Sequence, residues 1–103
     1  NYITHQTATA KITDCTDRER MRNAIVMIPS ADPGFDWIFS HDIAGLITAY
    51  GGVNSHMAIR AGELNLPAVI GAGEDLFEKW SQAKVLRIDC AARRVEILNM
   101  VSS

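Results

Sequence analysis

The sequence is short of several things, and each shortage narrows the reading. It has no apolar run near the roughly 18 residues of a membrane span, and no charged start leading into an apolar stretch marks a signal peptide. It has no basic excess: ten Lys and Arg stand against twelve Asp and Glu, a formal net charge of -2. A surface built for nucleic acid or anionic membrane is therefore not expected. Cysteine is scarce. Cys15 and Cys90 form no CxxC pair and fit no zinc signature. They read as two reduced thiols of a cytosolic protein, with a disulfide between them left open. His5, His41 and His56 have no recognisable ligand spacing, so no metal site is expected. No internal repeat, low-complexity tract or Gly/Ser linker breaks the chain. What is there is ordinary for a globular protein: 103 residues, 48% hydrophobic and 21% charged, enough for one compact domain. Asn1 is an unusual natural start, and the sequence is expected to be a piece of a longer chain.

Along the chain, short apolar runs alternate with helical periods. Residues 8–12 read as a first strand. Thr16 and Glu19 have the spacing of a capping box, which predicts a helical turn there. Residues 24–28 are a continuous, partly β-branched apolar run stopped by Pro29, and they read as a buried strand. Asp32 and Pro33 predict a capped helix over 33–41, with Phe35, Ile38 and Phe39 at helical spacing and His41 capping its end. Residues 44–48 read as a second buried strand. Met57, Ala61 and Leu64 predict one apolar face of a helix over 55–65. Gly62 inside it costs about 1 kcal/mol relative to alanine, and close packing on a sheet is a reason to tolerate it. Pro67 ends that helix and opens a third strand to Ile70. Residues 74–82 read as a helix with Leu76 and Trp80 inward, and residues 84–89 and 94–98 as a closing hairpin. The pattern predicts an α/β fold.

Chemistry concentrates in Tyr50-Gly51-Gly52-Val53-Asn54-Ser55-His56. A buried strand passes through a glycine pair into a helix, with Asn54 or Ser55 as N-cap and His56 in the first turn. Unpaired N–H groups and the helix dipole favour an anion there. A neutral imidazole so placed can accept a phosphoryl group, and the helix N-terminus disfavours the imidazolium. Asn54 and Ser55 can orient the ring or donate to phosphate oxygens. The sequence does not say which ring nitrogen reacts. On the residues alone, His56 also reads as a turn or cap residue.

Residues 44–56 resemble the phosphohistidine signature of the phosphoenolpyruvate-utilising enzymes. In that family a strand leads to Gly-Gly, Thr or Asn, a small residue and the phosphorylated histidine. The following strand, residues 64–71 here, is similar to the family's Pro-containing strand. The Asn23 to Pro29 run, the segment from Asp32 to Phe39 and the hairpin with Asp89 extend the likeness over residues 6–98. There are departures. Met57 replaces a small residue, Arg60 stands where an apolar residue is common, and Cys90 replaces a hairpin glycine. Gly62 stands in place of an arginine that often binds the phosphoryl group, and Arg60, two positions earlier, would project elsewhere on the helix. Asn54 replaces a threonine of many members, which removes any regulation by phosphorylation at that position.

The resemblance implies a swivelling β/β/α phosphohistidine domain spanning residues 1–103 within a larger multidomain enzyme. It implies His56 as nucleophile and transient phosphoryl carrier, Gly51 and Gly52 as shapers of the turn, and Asn54 and Ser55 as phosphate-binding or orienting residues. It implies partners within the same enzyme: an ATP-grasp domain or a phosphoenolpyruvate-binding domain as donor, and an acceptor-binding domain. Mg²⁺ and ATP belong to those partners, and the location is cytoplasmic. Tyr50 is expected to pack at the turn, and Trp37 and Trp80 to lie in the core. A non-catalytic interaction module on the same fold is the alternative.

Overall fold

The computed structural model describes residues 2–13, 19, 21–52 and 54–100. The capping box at Thr16 and the thiol of Cys15 lie outside the described residues. The elements run β1 (Tyr2–Ile3), β2 (Thr7–Thr13), β3 (Ile25–Ser30), a 3-10 helix (Pro33–His41), β4 (Gly45–Tyr50), α1 (His56–Glu63), β5 (Ala68–Val69), α2 (Glu74–Ser81), β6 (Ala83–Asp89) and β7 (Arg94–Met100). The strands form one seven-stranded sheet in the order β1-β5-β4-β3-β2-β6-β7. β3 pairs in parallel with β2 and β4, and β4 with β5. β1, β6 and β7 pair antiparallel with their neighbours. β2 turns the sheet: residues 12 and 13 pair with β3, while residues 7–11 pair with β6.

That turn explains why the central strands read as unbroken apolar runs. Both of their faces are covered. On one side Val26, Ile28, Leu46, Ala68 and Ile70 pack with Ile38 of the 3-10 helix and Met57, Ala58 and Ala61 of α1. On the other, Ile25, Met27, Ile47 and Val69 pack with Trp80 of α2 and with Leu86 and Ile88 of β6. Successive residues of one strand thus serve opposite cores, as the two-residue period requires. The result is a compact α/β domain with a curled sheet between two apolar clusters.

Several expectations change in detail. β3 does not stop at Pro29 but runs to Ser30, which pairs with Tyr50. β2 pairs with β3 only at Ile25 and Val26, so the N–H that Pro29 lacks interrupts no ladder on that side. Leu64 and Leu76 are about half exposed rather than inward. α1 ends at Glu63, leaving Leu64 as its C-cap. In α2, Phe77 rather than Leu76 joins Trp80 against the sheet. Trp80 is core, whereas Trp37 is only partly buried, with its ring at right angles to that of His41 at 5.6 Å. Cys90 is a buried free thiol facing the Ala68 carbonyl oxygen at 3.7 Å. No helix of the described residues is long and apolar enough to cross a membrane.

Candidate functional site

The site is built where β4 hands over to α1, at the C-terminal ends of parallel strands, the edge at which α/β sheets bind ligands. Thr48, fully buried, fixes that edge. Its hydroxyl donates to the Tyr50 carbonyl oxygen at 3.0 Å and accepts from the Gly71 N–H at 3.0 Å. Ala72 N–H and Gly73 N–H donate to the carbonyl oxygens of Thr48 and Ala49. The chain then turns at Gly51, with φ +135°. A Cβ there would lie 2.6 Å from that of Ala31, so both the backbone conformation and the space demand glycine. Gly52 has nothing within 4 Å of a built Cβ. The turn closes with Ser55 N–H donating to the Gly52 carbonyl oxygen at 3.0 Å.

Ser55 is the N-cap of α1: its Oγ accepts from Ala58 N–H at 3.3 Å. Asn54 stands exposed one residue before it. His56 is therefore the first residue of α1, with its side chain 44% exposed. Met57 and Ala58 behind it are buried and hold the turn on the sheet. Glycine pair, Asn54, Ser55 and His56 thus come together at one corner, as expected from their order in the chain.

Two residues that the sequence did not assign to the corner complete it. Asp36, on the 3-10 helix, brings Oδ1 to 2.9 Å from His56 Nε2. The same oxygen accepts from Arg60 Nε at 3.3 Å. Arg60 does not project away from the histidine. It lies four residues on, hence on the same helix face, over the Phe39 ring at 5.8 Å and near Glu63 Oε2 at 4.0 Å. The hydrogen bond with His56, helped by the Arg60 charge, holds the Asp36 carboxyl below the usual carboxylate range. The sequence signal for Asp36 was its place on the short helix before β4, but nothing in its spacing ties it to a residue 20 positions later. Tyr50 does not pack at the turn. It is 54% exposed and its phenol donates to Glu74 Oε2 at 3.2 Å, which raises its pKa.

Gly62 has no packing reason. It is exposed, and a Cβ on it would make only an ordinary contact with Ile3 at 3.8 Å. The corner holds the His56 imidazole, the Asp36 carboxylate and the Arg60 guanidinium, with the Glu63 carboxylate 4.0 Å from the last. Among the described residues no three His, Cys, Asp or Glu side chains cluster as metal ligands.

This strand, turn and helix lie inside a match to a family model covering residues 21–93, that of the PEP-utilising enzyme, mobile domain. The chain belongs to this family. The match takes in every element from β3 through β6 and the hairpin turn, and so includes His56, Asp36 and Arg60. No curated protein matches the mobile domain described here. Among solved structures, a UPF0107 protein determined by NMR in solution superposes with a TM-score of 0.71 over 96% of each chain at 13% identity. At that identity the likeness speaks for the fold alone.

Proposed function

We propose that this chain is the swivelling phosphoryl-carrier domain of a phosphoenolpyruvate-utilising phosphotransferase, with His56 as the residue that is transiently phosphorylated. The observation that carries the reading is the placement of His56. It is the first residue of α1, beyond a glycine pair, half exposed, at the C-terminal end of the parallel strand β4. Membership of a family of mobile domains supports it. In this reading the imidazole attacks the phosphorus of the donor, and the N–H groups of the first turn of α1, apart from that of Ala58, which Ser55 takes, receive the phosphoryl oxygens. Asn54 and Ser55 flank the group. Mg²⁺ and ATP belong to an ATP-grasp-type partner domain, and the acceptor to another. The carrier swings between them as one domain of a longer cytoplasmic enzyme.

The test is to present the protein, in the longest form its gene encodes, with Mg²⁺ and ATP labelled separately at the β and γ phosphates, and with labelled phosphoenolpyruvate. Protein-bound label that is acid-labile and base-stable, and absent from His56→Ala, is the expected result. Equal label in both proteins would falsify the assignment. One observation favours a second reading, a non-catalytic interaction module: Gly62 stands where the family arginine is expected, with no packing role of its own. Absence of label from either donor would decide for that module.

A further inference from the structure

We propose that Arg60 is a phosphoryl-binding residue: once His56 carries the group, the Arg60 guanidinium turns from the Asp36 carboxylate to the phosphoryl oxygens. This rests on the carrier reading of His56 and does not depend on which ring nitrogen carries the group. The first reason is position. Arg60 follows His56 by four residues in α1, and a helical side chain leans back over the turn that precedes its own Cα. For Arg60 that turn begins with His56. The contacts of Asp36 show the lean, since one oxygen, Oδ1, lies 2.9 Å from His56 Nε2 and 3.3 Å from Arg60 Nε. The guanidinium thus already stands one carboxylate oxygen away from the ring. What Arg60 holds there is a negatively charged oxygen beside the imidazole, and a phosphoryl group on that imidazole brings three.

The second reason is how lightly Arg60 is held. Its bond to Asp36 is longer than the about 2.7–2.9 Å of a strong charge-assisted contact. Nη1 stands 4.0 Å from Glu63 Oε2, and the side chain is 37% exposed. The Phe39 ring, 5.8 Å from Cζ, seats the guanidinium through its face rather than through its N–H groups. The planar fork is therefore able to pivot and make the two parallel bonds that arginine forms to phosphate. Charge sets the direction of the exchange. A phosphorylated side chain carries about -1.5 to -2 at neutral pH, more than the single charge of Asp36. Set beside the carboxylates of Asp36 and Glu63, that group is repelled by both, and the cation the structure places among them is Arg60. The more negative ligand takes the guanidinium, which then screens it from Asp36.

The experiment uses the 103-residue chain, phosphorylated with potassium phosphoramidate, a chemical phosphoryl donor, so that no partner domain is needed. The ³¹P resonance missing from His56→Ala is that of His56, and its shift is followed against pH in wild type, Arg60→Gln, Arg60→Lys and Asp36→Asn. A nearby cation favours the more ionised phosphoryl group, so the titration midpoint is expected to rise by about one unit in Arg60→Gln. It should stay near the wild-type value in Arg60→Lys, which keeps the charge, and fall in Asp36→Asn, which removes the competing anion. In the wild type itself the ¹⁵N-labelled Arg60 Nε–H resonance should move on phosphorylation, a readout that stands even where a variant fails to fold. Equal midpoints in wild type and Arg60→Gln, or an Arg60 resonance that does not move, overturn this inference while leaving the carrier reading, which the labelled donors test, intact. Phosphorylation of His5 or His41 with none at His56 overturns both.

Discussion

Gly51 and Gly52 stand side by side in the turn before His56, yet a methyl group meets quite different conditions at each. At Gly51 it would force φ +135° on an alanine and press within 2.6 Å of the Ala31 Cβ. Backbone strain of about 1–3 kcal/mol adds there to overpacking of about 1–3 kcal/mol. Gly51→Ala is therefore expected to lower the urea midpoint markedly, whereas Gly52→Ala, with open space around it, should stay within about 0.5 kcal/mol of wild type. Equal midpoints for the two variants would contradict the geometry of the turn. Thr48 works by a different route. Replacing it with valine keeps the shape but strips Gly71 N–H of its partner, at a cost of about 1–3 kcal/mol. Asp36 adds a pH dependence. Its folded-state pKa is lowered, first by the His56 hydrogen bond and then by Arg60. The stability it contributes is thus present above the ordinary carboxylate range and lost as pH falls through the lowered folded value. Urea midpoints of wild type and Asp36→Ala should differ at neutral pH and converge in acid. A gap that stays constant with pH would show that the carboxylate's charge is not what matters.

At the scale of elements, α1 carries the clearest case. Gly62 sits near its C-terminal end, exposed, with room for a Cβ. Nothing in the packing requires it, so Gly62→Ala is expected to stabilise the domain by about 0.5–1 kcal/mol through helix propensity; a loss of stability in thermal unfolding would show a backbone role that the contacts do not reveal. The helices also mark how far the pattern of residues could be read. The period of α1 put Met57 and Ala61 on the buried face correctly, but extending it to Leu64 overran a helix that stops at Glu63. In α2, Trp80 was legible because it is large and apolar, while Leu76 and Phe77 compete for the same inward stripe, and only the sheet beneath decides for Phe77. β3 to Ser30 was misjudged because a proline breaks a strand only where its neighbour needs the N–H, and that depends on how far β2 extends alongside. The same limit applies at the site. Gly51, Asn54, Ser55 and His56 lie within one six-residue stretch, so their meeting is written in the chain. The pairing of Asp36 with His56 and Arg60 is not, since it arises only when the 3-10 helix and α1 are laid on one face of the sheet.

The whole molecule is organised by the strands that the two apolar clusters share. Trp37 packs at one cluster with the 3-10 helix and α1, and Trp80 lies in the other with α2 and β6. These clusters occupy opposite faces, yet β3, β4 and β5 supply alternate residues to both: Val26 and Ile28 to the first, Ile25 and Met27 to the second. Neither can dissolve without stripping one face of the same three strands, which are the ones that hold the His56 turn. A domain of 103 residues built this way is expected to unfold in one step. Under the proposed carrier role the property has a use, because a phosphoryl group moved between sites would keep its surroundings throughout. Trp37→Phe and Trp80→Phe leave a single indole on one face or the other, so each variant reports its own cluster. Each single-indole protein should show fluorescence and far-UV circular dichroism transitions with the same urea midpoint. Fluorescence in Trp80→Phe, which follows Trp37, preceding the dichroism change would mean that the layer bearing Asp36 and His56 loosens before the sheet does, and the site would then be held by local contacts rather than by the fold as a whole.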